Sequence, residues 1–392
     1  MESDFPDCVR PTYGGCLPVK IVLTANASWN LAHFRKPVIE GLRADGHDVV
    51  ALSPRDDGAQ ALGRLGVRHR PIGIDSKGTS PLRDALLVRS YRRAFRAEAP
   101  DLVLGYTIKP NIYGGLAARS LGVPFVPNVS GLGTAFLSTG ALEAVVTRLY
   151  RAAFRTLPHV VFQNPDDRDL FVARRIVRAD QAVLVPGSGV DLAHFAPTPP
   201  PDAGQGPVTF LLIARLLRDK GVEEFVEAAR QVRTHHPGTR FQLLGAVGAE
   251  NRTAIDRETV EAWVADGVVE YLGKTDDIRP LVAAADCVVL PSYREGTPRT
   301  LLEAAAMGRP CVATDVPGCR EVVEHEVTGY LCRAKDAGDL ARALERMIEA
   351  GPDGRARLGA EGRRRMERVF DQSIVVDTYR DLISGIGRTP PG

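Results

Sequence analysis

Glu295 and Glu303 stand eight positions apart in the segment LPSYREGTPRTLLEAAAMGRPCVATDVPG, residues 290–318, and their setting narrows the chemistry open to them. The segment reads as the end of a buried strand, a Gly/Pro turn with Glu295, a short helix with Glu303, and a second apolar strand at 310–313. Thr297 suits the cap of that helix and Pro298 its first position. A helix that opens at the carboxyl end of a strand in an open α/β sheet offers bare N–H groups to an anion. Two carboxylates beside such a site would accept hydrogen bonds from ligand hydroxyls. A sugar nucleotide carries hydroxyls at both ends and a diphosphate between them.

A second set of charges supplies what that diphosphate needs. Residues 214–221, ARLLRDKG, end a predicted strand and lead into an amphipathic helix. Breaking a sugar–phosphate bond leaves added negative charge on the leaving group, and fixed cations stabilise that state more than the ground state. Arg215 offers a planar fork and Lys220 a point charge. No H-E-x-x-H or suitably placed D-x-D pair appears, and the adjacent pairs Asp56-Asp57, Asp166-Asp167 and Asp276-Asp277 read as caps and turns. No metal site is expected. No G-x-G-x-x-G follows the first strand, so a nicotinamide cofactor is not expected either.

In this setting, 290–318 resembles the donor-site motif of the family-four retaining glycosyltransferases, which have the two-lobed GT-B fold. The resemblance implies that Glu295 meets the transferred sugar and Glu303 the ribose, with Gly296, Thr297, Pro298, Arg299, Thr300 and Leu301 lining the donor site. Arg215 and Lys220 match the family's diphosphate clamp. The turn at Gly273 and Lys274 matches the place where a uridine base rests, although turn chemistry alone also explains it. His33 and Arg35 match an H-F-R seen in enzymes that add N-acetylgalactosamine to a polyprenyl-diphosphate-linked sugar. A His packed at a helix start explains His33 equally.

Other acceptor candidates follow strands in the first half. Lys109 precedes Pro110 at the start of a helix, either aimed at an acceptor phosphate or simply on the surface. The turn at Gly131, Gly133 and Thr134 permits close backbone approach to a ligand, as would any tight turn. The usual Gly-rich loop after the first strand is absent; NASWN (26–30) stands there instead.

These residues need a scaffold, and the pattern of alternating strand and helix predicts parallel sheets. Strands are expected at 19–25, 48–52, 102–105, 125–129, 160–162 and 182–185, then at 208–214, 241–244, 269–272, 287–290 and 310–313. The expected fold is therefore α/β of GT-B type: two doubly wound Rossmann-like domains facing an interdomain cleft. Residues 1–18 read as a disordered extension and 19–196 as an acceptor-binding domain. The Pro/Gly-rich stretch 197–207 reads as a linker and 208–371 as a donor-binding domain. Residues 372–392 are expected to form a helix crossing back to the first domain, then a tail. The 186–191 turn, PGSGVD, resembles the family's hinge.

Composition agrees with a soluble globular protein: 392 residues, 44% hydrophobic and 25% charged. No apolar run is long enough to span a bilayer, and the first 18 residues lack the apolar core of a signal peptide. Six cysteines show no C-x-x-C pair, which favours reduced thiols and a cytoplasmic setting. Residues 1–190 hold 24 Lys/Arg against 17 Asp/Glu, whereas 191–392 hold 26 against 31. The basic half suits an anionic acceptor. In a predicted helix at 82–96, Arg89, Arg92, Arg93 and Arg96 share a face, as do Arg148, Arg151 and Arg155 in the helix from residue 141. Those faces suit an anionic membrane surface or plain solvent.

The expected function is retaining transfer of a hexose or N-acetylhexosamine from a UDP-sugar, in bacterial surface-glycan assembly. The acceptor is an undecaprenyl-diphosphate-linked saccharide or a small soluble molecule, and no nucleic acid is involved. A UDP-sugar 2-epimerase shares the two lobes but would need its own acid–base carboxylates. A non-catalytic nucleotide-sugar binder would not need Arg215 and Lys220.

Overall fold

The computed structural model describes residues 17–75, 78, 80–132, 141–201, 206–248, 251 and 253–386. The chain divides into two compact units. The first runs to Ser188 and resumes at Gln372; the second is Gly189–Asp371.

Seven strands build the first unit: β1 (Lys20–Thr24), β2 (Asp48–Ser53), β3 (Arg68–Pro71), β4 (Leu102–Tyr106), β5 (Phe125–Val129), β6 (Val160–Phe162) and β7 (Ala182–Leu184). All pair in parallel, in the order 3-2-1-4-5-6-7. The order reverses between β1 and β4, which makes their carboxyl ends the ligand-binding edge. Alternate residues feed two helical layers, as the strand period of two requires. Val22, Val50 and Val103 pack with Leu87, Tyr91 and Phe95 of the helix Pro81–Glu98. Ile21, Leu23 and Leu104 pack with Val38, Ile39 and Leu42 on the other face.

The C-terminal helix Gln372–Ile386 joins that second layer through Val375, Tyr379, Leu382 and Ile383. The Tyr379 hydroxyl accepts from Asn128 Nδ2 at 2.9 Å, and Arg380 grips Asp45 through Nε (2.7 Å) and Nη2 (2.8 Å).

The second unit repeats the plan with β8 (Thr209–Ile213), β9 (Arg240–Leu244), β10 (Glu270–Tyr271), β11 (Cys287–Leu290), β12 (Cys311–Thr314) and β13 (Gly329–Cys332). The order is 10-9-8-11-12-13, again parallel. Phe210, Leu212 and Val289 face the helices Val222–His235 and Ala337–Glu349. Leu211, Val288 and Ala313 face Leu301, Leu302 and Phe370. Cys287, Cys311, Cys319 and Cys332 are buried free thiols, and burial pushes Cys311 and Cys332 up to about 12.

Two strands lay outside the sequence reading. In β3, Arg-His-Arg-Pro has no apolar run because this edge strand turns Arg68 (2.9 Å) and Arg70 (2.7 Å) onto buried Glu98. Burial alone would raise Glu98; the two guanidinium groups reverse that and hold its carboxyl below the usual range. In β13, Gly329 opens the strand, and a Cβ there would stand 2.0 Å from the Cys311 carbonyl oxygen.

The boundaries also differ from the expected ones. The described part of 197–207 belongs to the second unit. Buried Arg309 donates to the Thr198 carbonyl (3.0 Å) and hydroxyl (2.9 Å), and Arg363 reaches the carbonyls of Leu192 (3.3 Å) and Phe195 (3.1 Å). Arg309 thus straps the Pro-rich stretch down, and Arg363 holds the residues just before it. The chain changes unit at Ser188–Gly189 instead, beside glycines of positive φ at 187 (65°) and 189 (67°).

Candidate functional site

In the second unit the site is assembled from four strand ends. After β8 the chain turns through Ala214 and Arg215, hard against Gly245 at the end of β9. A Cβ on Gly245 would lie 1.7 Å from the Ala214 carbonyl oxygen, so only glycine fits. Gly245 N–H donates to the Gly273 carbonyl at 2.7 Å, and the Tyr271 hydroxyl donates to the Gly245 carbonyl at 2.9 Å. The turn with Gly273 (φ 73°) and exposed Lys274 is thereby fixed beside the turn that holds Arg215. The Arg215 side chain is exposed, and among the described residues it makes no hydrogen bond or ion pair.

Lys220 closes a short 3-10 turn, Arg218–Lys220, ahead of Gly221 at φ 69°. A Cβ on Gly221 would meet the Pro291 carbonyl oxygen at 2.1 Å, so this turn is pressed onto the loop after β11. Lys220 Nζ forms an ion pair with Glu295 Oε1, the oxygen that also accepts the Ser292 hydroxyl at 2.6 Å. Glu295 N–H donates to the Pro317 carbonyl at 3.1 Å. Gly318 (φ 87°) passes so close that a Cβ would sit 2.6 Å from the Gly296 carbonyl oxygen. The turn that presents Glu295 is therefore built by backbone crowding from β12 as much as by its own sequence.

The helix is Arg299–Ala306, with Pro298 at its cap (φ −76°, ψ 113°). It opens one residue later than expected, so that Pro298 and not Thr297 holds the cap position, and the Pro298 carbonyl takes the N–H groups of Leu301 (3.1 Å) and Leu302 (3.3 Å). Thr300 donates its hydroxyl to the Ile213 carbonyl at 3.2 Å, and Leu301 is wholly buried. These two tie the helix to β8. Glu303 is only 9% exposed and pairs with Arg299 Nη2 at 2.8 Å. Burial raises its carboxyl above the ordinary value, and Arg299 draws it part of the way back.

In the first unit the helix Ser28–Phe34 follows β1. Its first N–H groups are taken from across the unit by Asp56, which accepts from Ser28 (2.8 Å) and Trp29 (3.1 Å), while Ala27 holds the cap position. His33 is exposed; its Nδ1 donates to the Trp29 carbonyl at 2.9 Å, and its ring stacks on the Trp29 indole at 4.4 Å. Arg35 differs from the expectation of an acceptor contact. It is 2% exposed at the junction of the helices Ser28–Phe34 and Lys36–Ala44, with its guanidinium 4.4 Å over the Tyr106 ring.

Lys109 is also committed internally. Its ammonium meets Asp84 Oδ1 at 2.7 Å, and the Tyr113 hydroxyl donates to Asp84 Oδ2 at 2.6 Å. Gly131 has a φ of 113°; Gly133 and Thr134 lie outside the described residues. The backbone supplies a further mark of the site edge. Thr107, just after β4, holds φ 69°, a region β-branched residues avoid, and its Oγ1 accepts Asn26 N–H from the end of β1 at 3.1 Å.

Sequence reasoning missed Ser292, Asp84, Trp29 and the crowded glycines 221, 245 and 318. Ser292 lay three positions before Glu295 and could have been read as its hydrogen-bond donor. Asp84 and the glycines depend on contacts between segments distant in the chain. Among the described residues, no group of three or more His, Cys, Asp or Glu is placed to hold a metal ion.

Comparison with known proteins bears on this geometry. Residues 207–350 match the family model "Glycosyl transferases group 1", and residues 36–187 match "Glycosyl transferase 4-like domain". The chain is 26% identical over 384 residues to the N,N'-diacetylbacillosaminyl-diphospho-undecaprenol α-1,3-N-acetylgalactosaminyltransferase of Campylobacter jejuni, covering 93% of this chain and 98% of that one. It is 26% identical over 289 residues to an Escherichia coli UDP-Gal:α-D-GlcNAc-diphosphoundecaprenol α-1,3-galactosyltransferase, covering 70% and 73%. Among solved structures, a glycosyltransferase from Rickettsia africae superposes with a TM-score of 0.77 at 18% identity, covering 96% of this chain and all of that one. Anabaena HepE in complex with UDP-glucose gives 0.77 at 20% identity, covering 94% and all of the other chain. At those identities the two structures speak for the fold.

Proposed function

The chain belongs to the group 1 and 4-like glycosyltransferases, and from that premise we propose that it moves a hexose or N-acetylhexosamine from a UDP-sugar to an undecaprenyl-diphosphate-linked saccharide, with retention and without a metal ion. The observation that carries this reading is the grouping of Lys220, Glu295 and Ser292 in direct contact. Arg215 stands on the same β8 turn with its guanidinium uncommitted among the described residues.

The chemistry follows from the charges. As the sugar–phosphate bond lengthens, negative charge grows on the diphosphate, and Arg215 and Lys220 stabilise it. Lys220 gives up Glu295 to do so, which turns that carboxylate toward the hydroxyls of the transferred sugar. Glu303, oriented by Arg299, accepts from the ribose. Retention follows from attack on the face the diphosphate leaves, with the departing phosphate taking the acceptor proton. The relatives from Campylobacter jejuni and Escherichia coli, both named for diphospho-undecaprenol-linked acceptors, support the choice of acceptor.

Such an acceptor lies in a membrane, so the enzyme works at its inner face. Among the described residues no helix is long and apolar enough to cross a membrane. The helix Pro81–Glu98 supports peripheral docking: exposed Leu82 and Leu86 continue into Arg89, Arg93 and Arg96 along one stripe. Arg92 departs from that face; it is partly buried, with Nε hidden and without a partner among the described residues. Arg148 and Arg151 of the helix Ala141–Phe154, and Arg155 just after it, are all exposed, with Arg151 donating to the carbonyls of Arg174 and Arg175.

The test is a panel of UDP-sugars incubated with polyprenyl-diphosphate-linked saccharides, with and without EDTA. UDP release, product mass and anomeric configuration are followed. Transfer with retention, unaffected by EDTA, is the expected result. Donor turnover with no acceptor and epimerised sugar would replace the transferase reading with an epimerase.

A further inference from the structure

We infer that Trp29 is a stacking platform for a pyranose ring of the acceptor saccharide. The inference rests on the transferase reading above and deepens it. Trp29 is 48% exposed, and among the described residues no other large apolar side chain between Leu17 and Leu82 is left open to this degree. It sits in the first turn of the helix Ser28–Phe34, directly after β1, where the strand order of the sheet reverses. That edge is where an open α/β sheet binds its ligand.

The indole is held rigidly. Asp56 fixes its backbone N–H at 3.1 Å, the His33 ring stacks on it at an interplanar angle of 21°, and Phe34 meets it edge-on at 5.2 Å. Nearby, strained Thr107 reaches across from β4 to take Asn26 N–H at 3.1 Å, which pins the loop carrying the helix to the reversal point. A flat, rigid aromatic ring with one face covered by the His33 imidazole can offer its other face to the C–H face of a sugar, which is the chemistry of saccharide recognition. A bilayer contact would present several exposed apolar side chains together. Of the exposed leucines of this unit, those at 82 and 86 lie on another helix and Leu17 lies ahead of β1.

The chain has two tryptophans, so Trp263→Phe leaves Trp29 as the sole indole reporter. Its emission is followed while adding methyl glycosides of N-acetylhexosamines, a short-chain polyprenyl-diphosphate N-acetylhexosamine, or phosphatidylglycerol vesicles. A saturable change with both saccharide probes and none with vesicles is expected. In steady-state transfer, Trp29→Leu is expected to raise the acceptor KM about ten-fold and leave the donor KM in place, with Trp29→Phe between the two. Emission that ignores the saccharides, or responds only to vesicles, overturns the inference, as does an unchanged acceptor KM in Trp29→Leu. The two readings fail separately. Saturable saccharide binding by a protein that transfers nothing keeps the platform and removes the transferase, while transfer indifferent to Trp29 does the reverse.

Discussion

Lys220 and Glu295 neutralise one another, and Ser292 holds the carboxylate oxygen they share. A donor diphosphate must therefore compete with Glu295 for the ammonium. Glu295→Gln removes that competition, so UDP itself should bind several-fold tighter by calorimetry while sugar transfer slows. Lys220→Ala should lower the transfer rate by about 10²–10³-fold. Weaker UDP binding in Glu295→Gln would show that the pair does not oppose the donor.

Arg299 and Glu303 give donor affinity a pH dependence whose sign is fixed. In the proposed mechanism the ribose hydroxyls donate to the ionised carboxylate, and burial has already raised the pH at which Glu303 takes up a proton. Donor KM should rise as the pH falls toward that raised value. Arg299→Met removes the charge that offsets burial, so the rise should begin at higher pH. Glu303→Gln should have a high donor KM that no longer varies with pH over this range. Coinciding profiles for the parent and Arg299→Met would separate Arg299 from Glu303.

Asp84 joins Lys109 to Tyr113, and side-chain exposures of 15% for Lys109 and 13% for Asp84 make this a largely desolvated pair. Burial, then the neighbouring Asp84, holds the Tyr113 hydroxyl well above its usual range, so it remains a donor. Asp84→Asn strands a buried ammonium and should cost about 3 kcal/mol in urea unfolding. The double variant Asp84→Asn with Lys109→Met should recover part of that loss. Acceptor KM in the double variant then tells whether Lys109 also reaches the substrate.

Gly318→Ala should damage the site from outside it. The left-handed φ of 87° and the contact with the Gly296 carbonyl leave no room for a methyl group. The turn carrying Glu295 must shift, lowering activity by at least ten-fold together with a fall in melting temperature. Full activity at a lowered melting temperature would confine Gly318 to stability.

Much of this was legible in the chain. The apolar runs at β1, β4, β8 and β11 announced both sheets, because strands buried on two faces have no polar side to disguise them. The Glu295–Glu303 spacing, the turn with Arg215 and Lys220, and the helix Gln372–Ile386 were local patterns. Strand β3 was hidden because its arginines serve Glu98, some 30 positions on, and β13 because it starts at a glycine. Arg35 looked like a ligand contact since sequence cannot show that its guanidinium lies on Tyr106. The hold on Pro197–Pro201 was hidden for the same reason: the stretch looks free until Arg309 is seen holding Thr198.

Arg215 offers the most direct test of the central claim, that protein cations rather than a metal ion take the charge of the departing diphosphate. Its exposed side chain has no partner among the described residues, so Arg215→Ala should melt with the parent. UDP release from a UDP-N-acetylhexosamine in the presence of a polyprenyl-diphosphate-linked acceptor should fall about 10²–10³-fold in that variant, in EDTA, with the acceptor KM unmoved. Release at the parent's rate by a folded Arg215→Ala protein would contradict the account.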